Sequence, residues 1–523
     1  MGSPELILLI LAIAFGLYMA WNIGANDVAN AMGTSVGSGA LTLKQAIILA
    51  AIFEFTGAFL VGSHVSDTVR KKIFEPTAIQ AQSIQEVAGL EQMPTSEELA
   101  VIREQAKSDS VLQQQLDQAD SKAALNLACG MIAALLAAGC WLQLASYFGW
   151  PVSTTHSIVG SVVGFGAVAL GVGQIEWLVV AKIVSSWLVS PLLAGAISYL
   201  LFRFLLRRVF YQPDPVAAAK QIMPYLAFVV MIVLVGVTSF KALKGFWKRF
   251  NLDPTDMYPL LFTMLFALVV GVCGAFIARL LVRRIQSQPL DQTMVYQGVY
   301  VSRSLDKMLK HLRRIESFST GPIQGQVSEL RVQLKDLAHQ AEQQSDPVLT
   351  QPVYQKVERI FVYLQVLSAC FVAFAHGAND VANAIGPLSA AVQSLKEGVV
   401  AAKAQVPAWA LALGGVGIVV GLATWGWRVM ETIGRRITEL TPSRGFAAEF
   451  GAAITILVAS LSGLPISTTH TLVGAVLGVG LARGIGAINL NVVRDIVASW
   501  IITIPAGAGL AVLFYFILKA LFI

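Results

Sequence analysis

The chain has 523 residues, of which 56% are hydrophobic and 13% are charged. A composition this apolar excludes a soluble multidomain protein and a disordered chain, and it predicts an integral membrane protein. The formal net charge of +6 comes mostly from Lys and Arg in loops rather than from a polybasic module, so no nucleic-acid partner is expected.

Apolar segments of membrane-spanning length recur along almost the whole chain. A helix needs about 20 residues to cross roughly 30 Å of hydrocarbon. The sequence therefore predicts an all-α polytopic membrane protein with about 12 transmembrane segments. The predicted segments are residues 4–25, 43–63, 123–148, 152–173, 176–201, 222–240, 258–281, 358–376, 407–427, 446–463, 466–485 and 493–522.

Two long polar stretches interrupt these segments. Residues 64–121 hold ten acidic and five basic residues, whereas the loop at 203–208 and the stretch opened by residue 279 are basic. Basic loops favour the cytoplasm, so we expect 64–121 outside, as a helical or partly disordered excursion. The predicted domains are a first membrane repeat at 1–201, connecting membrane helices at 202–284, a cytoplasmic polar helical insert at 285–357 and a second membrane repeat at 358–523.

Two short polar phrases occur twice, in the same order. Gly-Ala-Asn-Asp-Val-Ala-Asn stands at 24–30 and at 377–383, and Pro-x-Ser-Thr-Thr-His stands at 151–156 and at 465–470. Five predicted crossings in the first half and two in the connector start the second half from the opposite side of the membrane. We therefore expect two inverted-topology repeats with broken helices or hairpins at a midmembrane site, as in secondary transporters.

The first phrase places a carboxylate and two carboxamides inside an apolar segment, and Gly24 either allows a close backbone approach or breaks the helix. Oxygen ligands of this kind suit a hard cation such as Na⁺, which would be co-transported. Helix capping and interhelical hydrogen bonding are the alternatives. Intramembrane acids elsewhere are cation ligands or protonatable coupling groups by default. The predicted sodium ligands are Asn26, Asp27, Asn379, Asp380, Ser153, Ser467, Glu54 and Glu449, and no organic cofactor is expected.

The second phrase predicts the start of a helix. Pro151 and Pro465 suit a first helical turn, and the hydroxyls and free amide protons that follow form a cradle for a tetrahedral oxyanion, with simple capping as the alternative. The residues predicted to bind the anion are Asp27, Asn30, Ser153, Thr154, Thr155, Asp380, Asn383, Ser467, Thr468 and Thr469. His156 and His470 either serve coupling, as proton carriers or anion donors, or are buried structural histidines.

These residues resemble the inorganic phosphate transporter (PiT) family. The resemblance rests on residues 24–39, on the second copy ending at Gly386-Pro387, and on both Pro-x-Ser-Thr-Thr-His phrases. It implies secondary active uptake of inorganic phosphate by an elevator-like alternating-access movement, a homodimer, and a multi-pass location in the bacterial inner membrane or plasma membrane. Asp27 and Asp380 match the family's signature aspartates, and Glu54 and Glu449 match its intramembrane glutamates. The run after residue 30 resembles the sodium-coupled branch.

Sodium-coupled phosphate symport is thus the expected function, and the chain is not expected to be an enzyme. A proton-coupled symporter of metal phosphate and a sulfate permease are the alternatives on the same fold. An intramembrane hydrolase would need a nucleophile and a base within reach of each other. Ser153 and His156 belong to a phrase that occurs twice, which is not expected of a single active site. A passive anion channel would never move its substrate uphill.

Overall fold

A computed structural model shows the fold. Apart from a few isolated positions, the described residues are 3–62, 75–90, 92–242, 255–285, 311–319, 321–344, 352–400, 406–427, 438–461, 466–484 and 488–523. The long regular elements within them are helices. They are α1 (Ser3–Gly37), α2 (Leu43–Val61), α3 (Pro76–Ala88), α4 (Ser96–Ala106), α5 (Ser110–Tyr147), α6 (Thr154–Leu170), α7 (Trp177–Leu205), α8 (Pro215–Ala242), α9 (Met257–Arg283), α10 (Pro322–Gln344), α11 (Pro352–Glu397), α12 (Ala408–Trp425), α13 (Pro442–Leu461), α14 (Thr468–Arg483) and α15 (Leu490–Phe522).

Helices of membrane-spanning length account for most of the predicted segments. Within the described residues, nine helices are long and apolar enough to cross a membrane, namely α1, α2, α5, α7, α8, α9, α11, α12 and α15. The three remaining predicted segments correspond to α6, α13 and α14. Because α6 has 17 residues and α14 has 16, both are shorter than the roughly 20 residues that a full crossing takes. The total of twelve crossings therefore stays a prediction.

The two Asn-Asp phrases lie inside α1 and α11, which run unbroken through them for 35 and 46 residues. A helix break at Gly24 is therefore wrong, and the close backbone approach is what the structure contains. Gly24 lies against the carbonyl of Ile418 on α12, and Gly377 lies against the carbonyl of Glu54 on α2. Each phrase thus packs on a helix from the other half of the chain, at a point where a Cβ would overlap the backbone.

Gly24→Ala is expected to destabilise the fold by about 1–3 kcal/mol, because overpacking at a helix crossing forces the two backbones apart. Thermal unfolding of the purified protein in detergent measures this change. Gly509→Ala on α15 is the matched control, since nothing lies within 4 Å of the Cβ that it would add. Equal melting temperatures for the two variants would contradict the close crossing of α1 and α12.

The short helices α6 and α14 begin at the Ser-Thr-Thr phrases. Ser153 caps α6 by accepting a hydrogen bond from the backbone N–H of His156, and Ser467 caps α14 in the same way from His470, each at 3.2 Å. Glycines farther along α6 lie against the backbone of α15, and glycines of α14 lie against α7. Close packing of this kind fixes where the two helix starts point.

The described part of the polar excursion after α2 is largely helical. α3, α4 and the first turns of α5 pack around a small apolar core made of Ile84, Ala106, Leu116 and Ala119. Beside this core, the Asp120 carboxylate accepts hydrogen bonds from Gln80 at 2.5 Å and from Arg103 at 2.9 Å. Residues 64–72 of the excursion lie outside the described residues.

Residues 203–229 and 271–364 form a compact unit of their own. Within it, Tyr354 at the start of α11 stacks on Phe210, with ring centroids 6.1 Å apart. The predicted insert contributes a helical segment at 311–318 and α10, joined through Gly321 with φ 68. Glu316 and Arg331 pair at 2.9 Å across these two helices. The side of the membrane on which the insert lies remains a prediction.

Candidate ion-binding site

Asp27 of α1 lies in a buried polar cluster. Its carboxylate accepts hydrogen bonds from the hydroxyl groups of Thr154 at 2.6 Å and Thr469 at 3.3 Å, and only 1% of the residue is exposed. These threonines belong to the first turns of α6 and α14. Two helix N-termini therefore converge on one carboxylate, where their positive dipole ends favour a negative charge.

Asp380 holds the corresponding position in α11 and is also buried. It accepts hydrogen bonds from the Thr468 hydroxyl and the Asn379 carboxamide, both at 2.9 Å, and Nε2 of His376 lies 2.8 Å away. Ligand atoms of Asp27, His376 and Asp380 all lie within 4.8 Å of one another, a spacing that can hold a metal ion. The structure therefore brings the aspartates of the two copies into one cluster.

Two carboxamides connect the copies to each other. Asn30 of α1 donates to Thr469 of α14 at 2.8 Å, and Asn383 of α11 donates to Thr154 and Thr155 of α6 at 3.2 Å each. Each Asn-Asp phrase is thus bonded to the Ser-Thr-Thr phrase of the other half. These hydrogen bonds between the halves place hydroxyl and carboxamide donors around the carboxylates of the two aspartates.

Three carboxamide oxygens in this region are buried and have no hydrogen-bond partner among the described residues, those of Asn26, Asn30 and Asn379. The Asn26 nitrogen is bonded, since it donates to Ser146 at 2.9 Å. A buried oxygen without a partner is costly, and amide oxygens are ligands that hard cations accept. The unpaired carboxamide oxygens of Asn26 and Asn379 are therefore available to a cation, as predicted for these two residues. Ser153 and Ser467, which were also predicted to bind sodium, already use their hydroxyl oxygens as helix caps.

Glu54 reaches the cluster through a histidine. Its carboxylate oxygens lie 2.8 and 2.9 Å from Nδ1 of His376, whose other nitrogen faces Asp380. All three side chains are buried. Glu54 is therefore a partner of the imidazole in this arrangement, and its assignment as a sodium ligand stays a prediction.

His376→Gln is expected to lower the free energy of unfolding by about 3 kcal/mol or more, because it leaves two buried carboxylates without their shared partner. Adding Glu54→Gln removes one of those carboxylates, so the second substitution should cost less in this background than in the wild type. Thermal unfolding of the wild type, both single variants and the double variant measures the coupling. Additive effects would contradict the Glu54–His376 pair.

A second buried cluster surrounds Glu449 on α13. Its carboxylate accepts hydrogen bonds from Thr34 at 2.5 Å, Ser35 at 2.7 Å, Ser368 at 2.5 Å and the Gln365 carboxamide at 3.4 Å. These donors are neutral, and among the described residues no Lys or Arg pairs with Glu449. Thr34 comes seven residues after Asp27 in α1, which is about 10 Å at 1.5 Å per residue. This cluster is therefore separate from the one at the aspartates.

The rings of His156 and His470 pack against tryptophans, His156 in a tilted arrangement and His470 stacked. The His156 ring lies 3.7 Å from the Trp187 ring, the His470 ring lies 3.5 Å from the Trp500 ring, and the imidazoles meet edge to face at 4.2 Å, all between centroids. Among the described contacts, neither ring bonds to an aspartate. Among the described residues, both ring nitrogens of His156 and Nε2 of His470 are buried without a hydrogen-bond partner. The structural and the coupling alternatives for these histidines both remain predictions.

His376 and the neutral hydrogen-bond donors around Glu449 were not among the site residues predicted from the sequence. His376 had a visible signal, because an ionisable residue inside an apolar segment is a functional candidate by default. Gln365 and Ser368 are polar residues three apart in that same segment, which places them on one helical face. Their common partner lies more than 80 residues away in the chain, and that contact was not visible in the pattern.

Comparisons with known proteins cover almost the entire chain. The profile of a family described as the phosphate transporter family matches residues 23–511. A putative phosphate permease of Chlamydia pneumoniae is 43% identical over 520 residues, which is 98% of this chain and 99% of that protein. A chloroplastic inorganic phosphate transporter of Arabidopsis thaliana is 42% identical over 507 residues, which is 97% of this chain and 71% of that protein.

A solved structure is also similar to this chain in its fold. It is described as the sodium-dependent phosphate transporter and matches with a TM-score of 0.70 at 33% sequence identity. The match covers 98% of this chain and 99% of the other. It therefore extends over both copies of each phrase and over the insert between them.

Proposed function

Because the chain belongs to the phosphate transporter family, we propose that this multi-pass membrane protein is a secondary active symporter of inorganic phosphate and Na⁺ and not an enzyme. The observation that carries the proposal is the cluster in which Asp27 and Asp380 meet the hydroxyl groups of α6 and α14. The sodium dependence named for the solved structural relative supports the choice of cation.

Phosphate would bind between the two Ser-Thr-Thr phrases. The backbone N–H groups at a helix start and the nearby hydroxyls are donors suited to a tetrahedral anion, and two such starts converge here. Thr155 and Thr469 would supply hydroxyls from opposite halves, with Asn30 and Asn383 as carboxamide donors. In the structure these same groups bond to each other and to the carboxylates, which supports a shared position for one small ligand.

Electrostatics explains why the anion would need a cation. Among the described residues, no Lys or Arg pairs with Asp27 or Asp380, and His376 is the nearest basic side chain. Two unit charges 4 Å apart repel by about 4 kcal/mol at an effective dielectric constant of 20. Bound Na⁺ on the carboxylate and carboxamide oxygens offsets this repulsion, so each ligand raises the affinity for the other.

Alternating access by an elevator-like movement is the proposed route across the membrane. The exchange of contacts between the two halves supports inverted repeats, because Gly24 meets α12 just as Gly377 meets α2. A carrier holding the anion without its cations would bury unbalanced charge and should cross slowly. We further propose a homodimer in the bacterial inner membrane or plasma membrane, in line with the family resemblance.

A proton-coupled symporter of metal phosphate is the second candidate, and one observation favours it. The atoms of Asp27, His376 and Asp380 that can hold a metal include an imidazole nitrogen, which suits transition metals better than Na⁺. In that case a divalent cation would enter with the anion. A sulfate permease is a further alternative, and the oxyanion cradle alone does not discriminate against it.

Uptake of radiolabelled phosphate into proteoliposomes tests the proposal. We expect accumulation above the external concentration with an inward Na⁺ gradient, inhibition by arsenate, and little inhibition by sulfate. Accumulation that requires a proton gradient together with a divalent cation, and that does not respond to Na⁺, would replace the first candidate by the second. Flux that only dissipates a phosphate gradient would identify a channel and overturn both.

A further inference from the structure

A helical segment of the insert exposes an apolar stripe. Met308, Ile315 and Phe318 are 54%, 51% and 83% exposed, and Phe318 is the most exposed of the large apolar side chains described. Ile315 and Phe318 are three residues apart and share one face of the helical segment at 311–318 with His311. Met308 precedes Ile315 by seven residues, which is the sequence spacing of the same helical face. Three large apolar side chains on one face of a segment otherwise rich in charge are unexpected for a plain solvated linker.

The other face of the same segment already has a packing partner. Leu305 is buried, Leu309 and Leu312 are half-buried, and Glu316 on that side pairs with Arg331 of α10 at 2.9 Å. The stripe of Met308, Ile315 and Phe318 is therefore not the face with which the segment is attached to the rest of its unit. It is a second apolar surface that points outward.

Positive charge accompanies the stripe. Residues 303–314 contain Arg303, Lys307, Lys310, Arg313 and Arg314 with Asp306 as the only acid. Arg314 is exposed and lies beside His311, Ile315 and Phe318 at the same surface depression, whereas Arg313 is exposed on a different face of the helix. An apolar stripe bordered by basic side chains is typical of helices that lie in the interface of a membrane with anionic headgroups.

The chain keeps this segment near a bilayer. α9 is apolar enough to span and ends at Arg283, with Arg284 directly after it, and α11 is apolar enough to return. We propose that Met308, Ile315 and Phe318 insert into the bilayer surface on the side of the membrane where the insert lies, while Arg314 binds anionic lipid headgroups. The proposal does not depend on which substrate is transported.

Environment-sensitive fluorescence of the full-length protein tests this docking. An NBD probe is attached to Phe318→Cys, in a background whose native cysteines are replaced by serine, and the protein is placed in nanodiscs. One set of nanodiscs contains phosphatidylcholine alone and the other includes phosphatidylglycerol. We expect the emission of the probe to shift to shorter wavelength in the anionic nanodiscs and to be quenched there by lipids that carry a quencher in the acyl chain.

Ser317→Cys is the matched control, because Ser317 is exposed on the same helix but lies about 100° away from Phe318. Its probe should keep the emission of a solvated dye in both lipid compositions. Arg314→Glu should remove the shift at position 318, and raising the salt concentration should weaken it.

Two results would overturn the proposal. Identical emission at positions 317 and 318 in both lipid compositions would show that the stripe stays in water. A shift at position 318 that is as large in neutral lipid, and that persists in detergent, would show that a protein surface covers the stripe instead.

Discussion

Asp27→Asn is expected to abolish sodium-dependent phosphate uptake, with a fall on the order of 100-fold in the rate. The substitution keeps the size of the side chain and removes the charge that Thr154 and Thr469 bind at 2.6 and 3.3 Å. Hydrogen bonds to a charged group are worth about 1.5–3 kcal/mol each, and every 1.4 kcal/mol changes an equilibrium by about tenfold. Because both partners of Asp27 are neutral, the fold should survive the change.

Asp380→Asn should stop uptake to a similar extent but should also lower the melting temperature. The difference arises because Asp380 faces the imidazole of His376, which is also bound by Glu54. Removing one carboxylate leaves that buried histidine with a single acidic partner, and a broken buried pair is destabilising. Comparing thermal unfolding of the two variants in detergent therefore separates the two aspartates, although their positions in the duplicated phrase are equivalent.

Asp495→Asn is the control for both substitutions, since the Asp495 side chain is 71% exposed on α15. Radiolabelled phosphate binding to detergent-solubilised protein, with and without Na⁺, shows whether binding or a later step is lost. Wild-type uptake in Asp27→Asn or Asp380→Asn would remove that aspartate from the site. Lost uptake with unchanged, sodium-dependent phosphate binding would assign the residue to the movement of the loaded carrier.

The duplicated phrases made the composition of the site predictable from the sequence. Asp27 and Asp380 were expected together because equivalent residues of two repeats meet at the repeat interface in transporters of this type. The two helix starts were predictable in part, since the Ser-Thr-Thr run supplies the capping hydroxyl that a first turn requires. The placement of Pro151 in that turn is wrong, because Pro151 lies before the Ser153 cap and outside the helix, and Pro465 lies outside the described residues. Ser153 and Ser467 do cap these helices.

The hydrogen bonds between the two halves inside the site could not be predicted from the sequence. Asn30 bonds to Thr469 across 439 positions, and Asn383 bonds to Thr155 across 228. Pairings at such separations depend on how the halves pack, which local periodicity does not determine. The same holds for His156 and His470, because a pattern of residues does not show that their rings face tryptophans rather than a ligand.

The role of Gly24 could not be decided from the sequence for a different reason. A glycine in an intramembrane helix is compatible either with a break in the helix or with the close approach of another helix backbone. The neighbouring residues in the sequence fit both alternatives equally well. The deciding fact is the position of the Ile418 carbonyl on α12, which lies where a Cβ would stand. α1 continues through Asp27 as a regular helix, so the cation ligands expected from this phrase are side-chain oxygens rather than freed backbone carbonyls.

Glu449→Gln is expected to raise the Na⁺ concentration needed for half-maximal uptake by about tenfold, the effect of losing roughly 1.4 kcal/mol of cation binding. Glu449 is the acid of the second cluster, where Thr34, Ser35 and Ser368 place three hydroxyl oxygens around it. Carboxylate and hydroxyl oxygens are ligands for a hard cation. Phosphate affinity at saturating Na⁺ should change little, because this cluster is about 10 Å along α1 from Asp27.

Ser368→Ala separates a cation site from a merely structural acid. It removes one neutral oxygen and keeps the charge of Glu449, so a cation site predicts a smaller rise in the Na⁺ requirement in the same direction. A structural acid predicts lower melting temperatures for both variants with no change in Na⁺ dependence. Glu397→Gln, at the exposed end of α11, controls for the loss of a negative charge elsewhere. Na⁺ dependence that is identical in Glu449→Gln and Glu397→Gln would remove Glu449 from the sodium sites and leave the coupling to the cluster at the two aspartates.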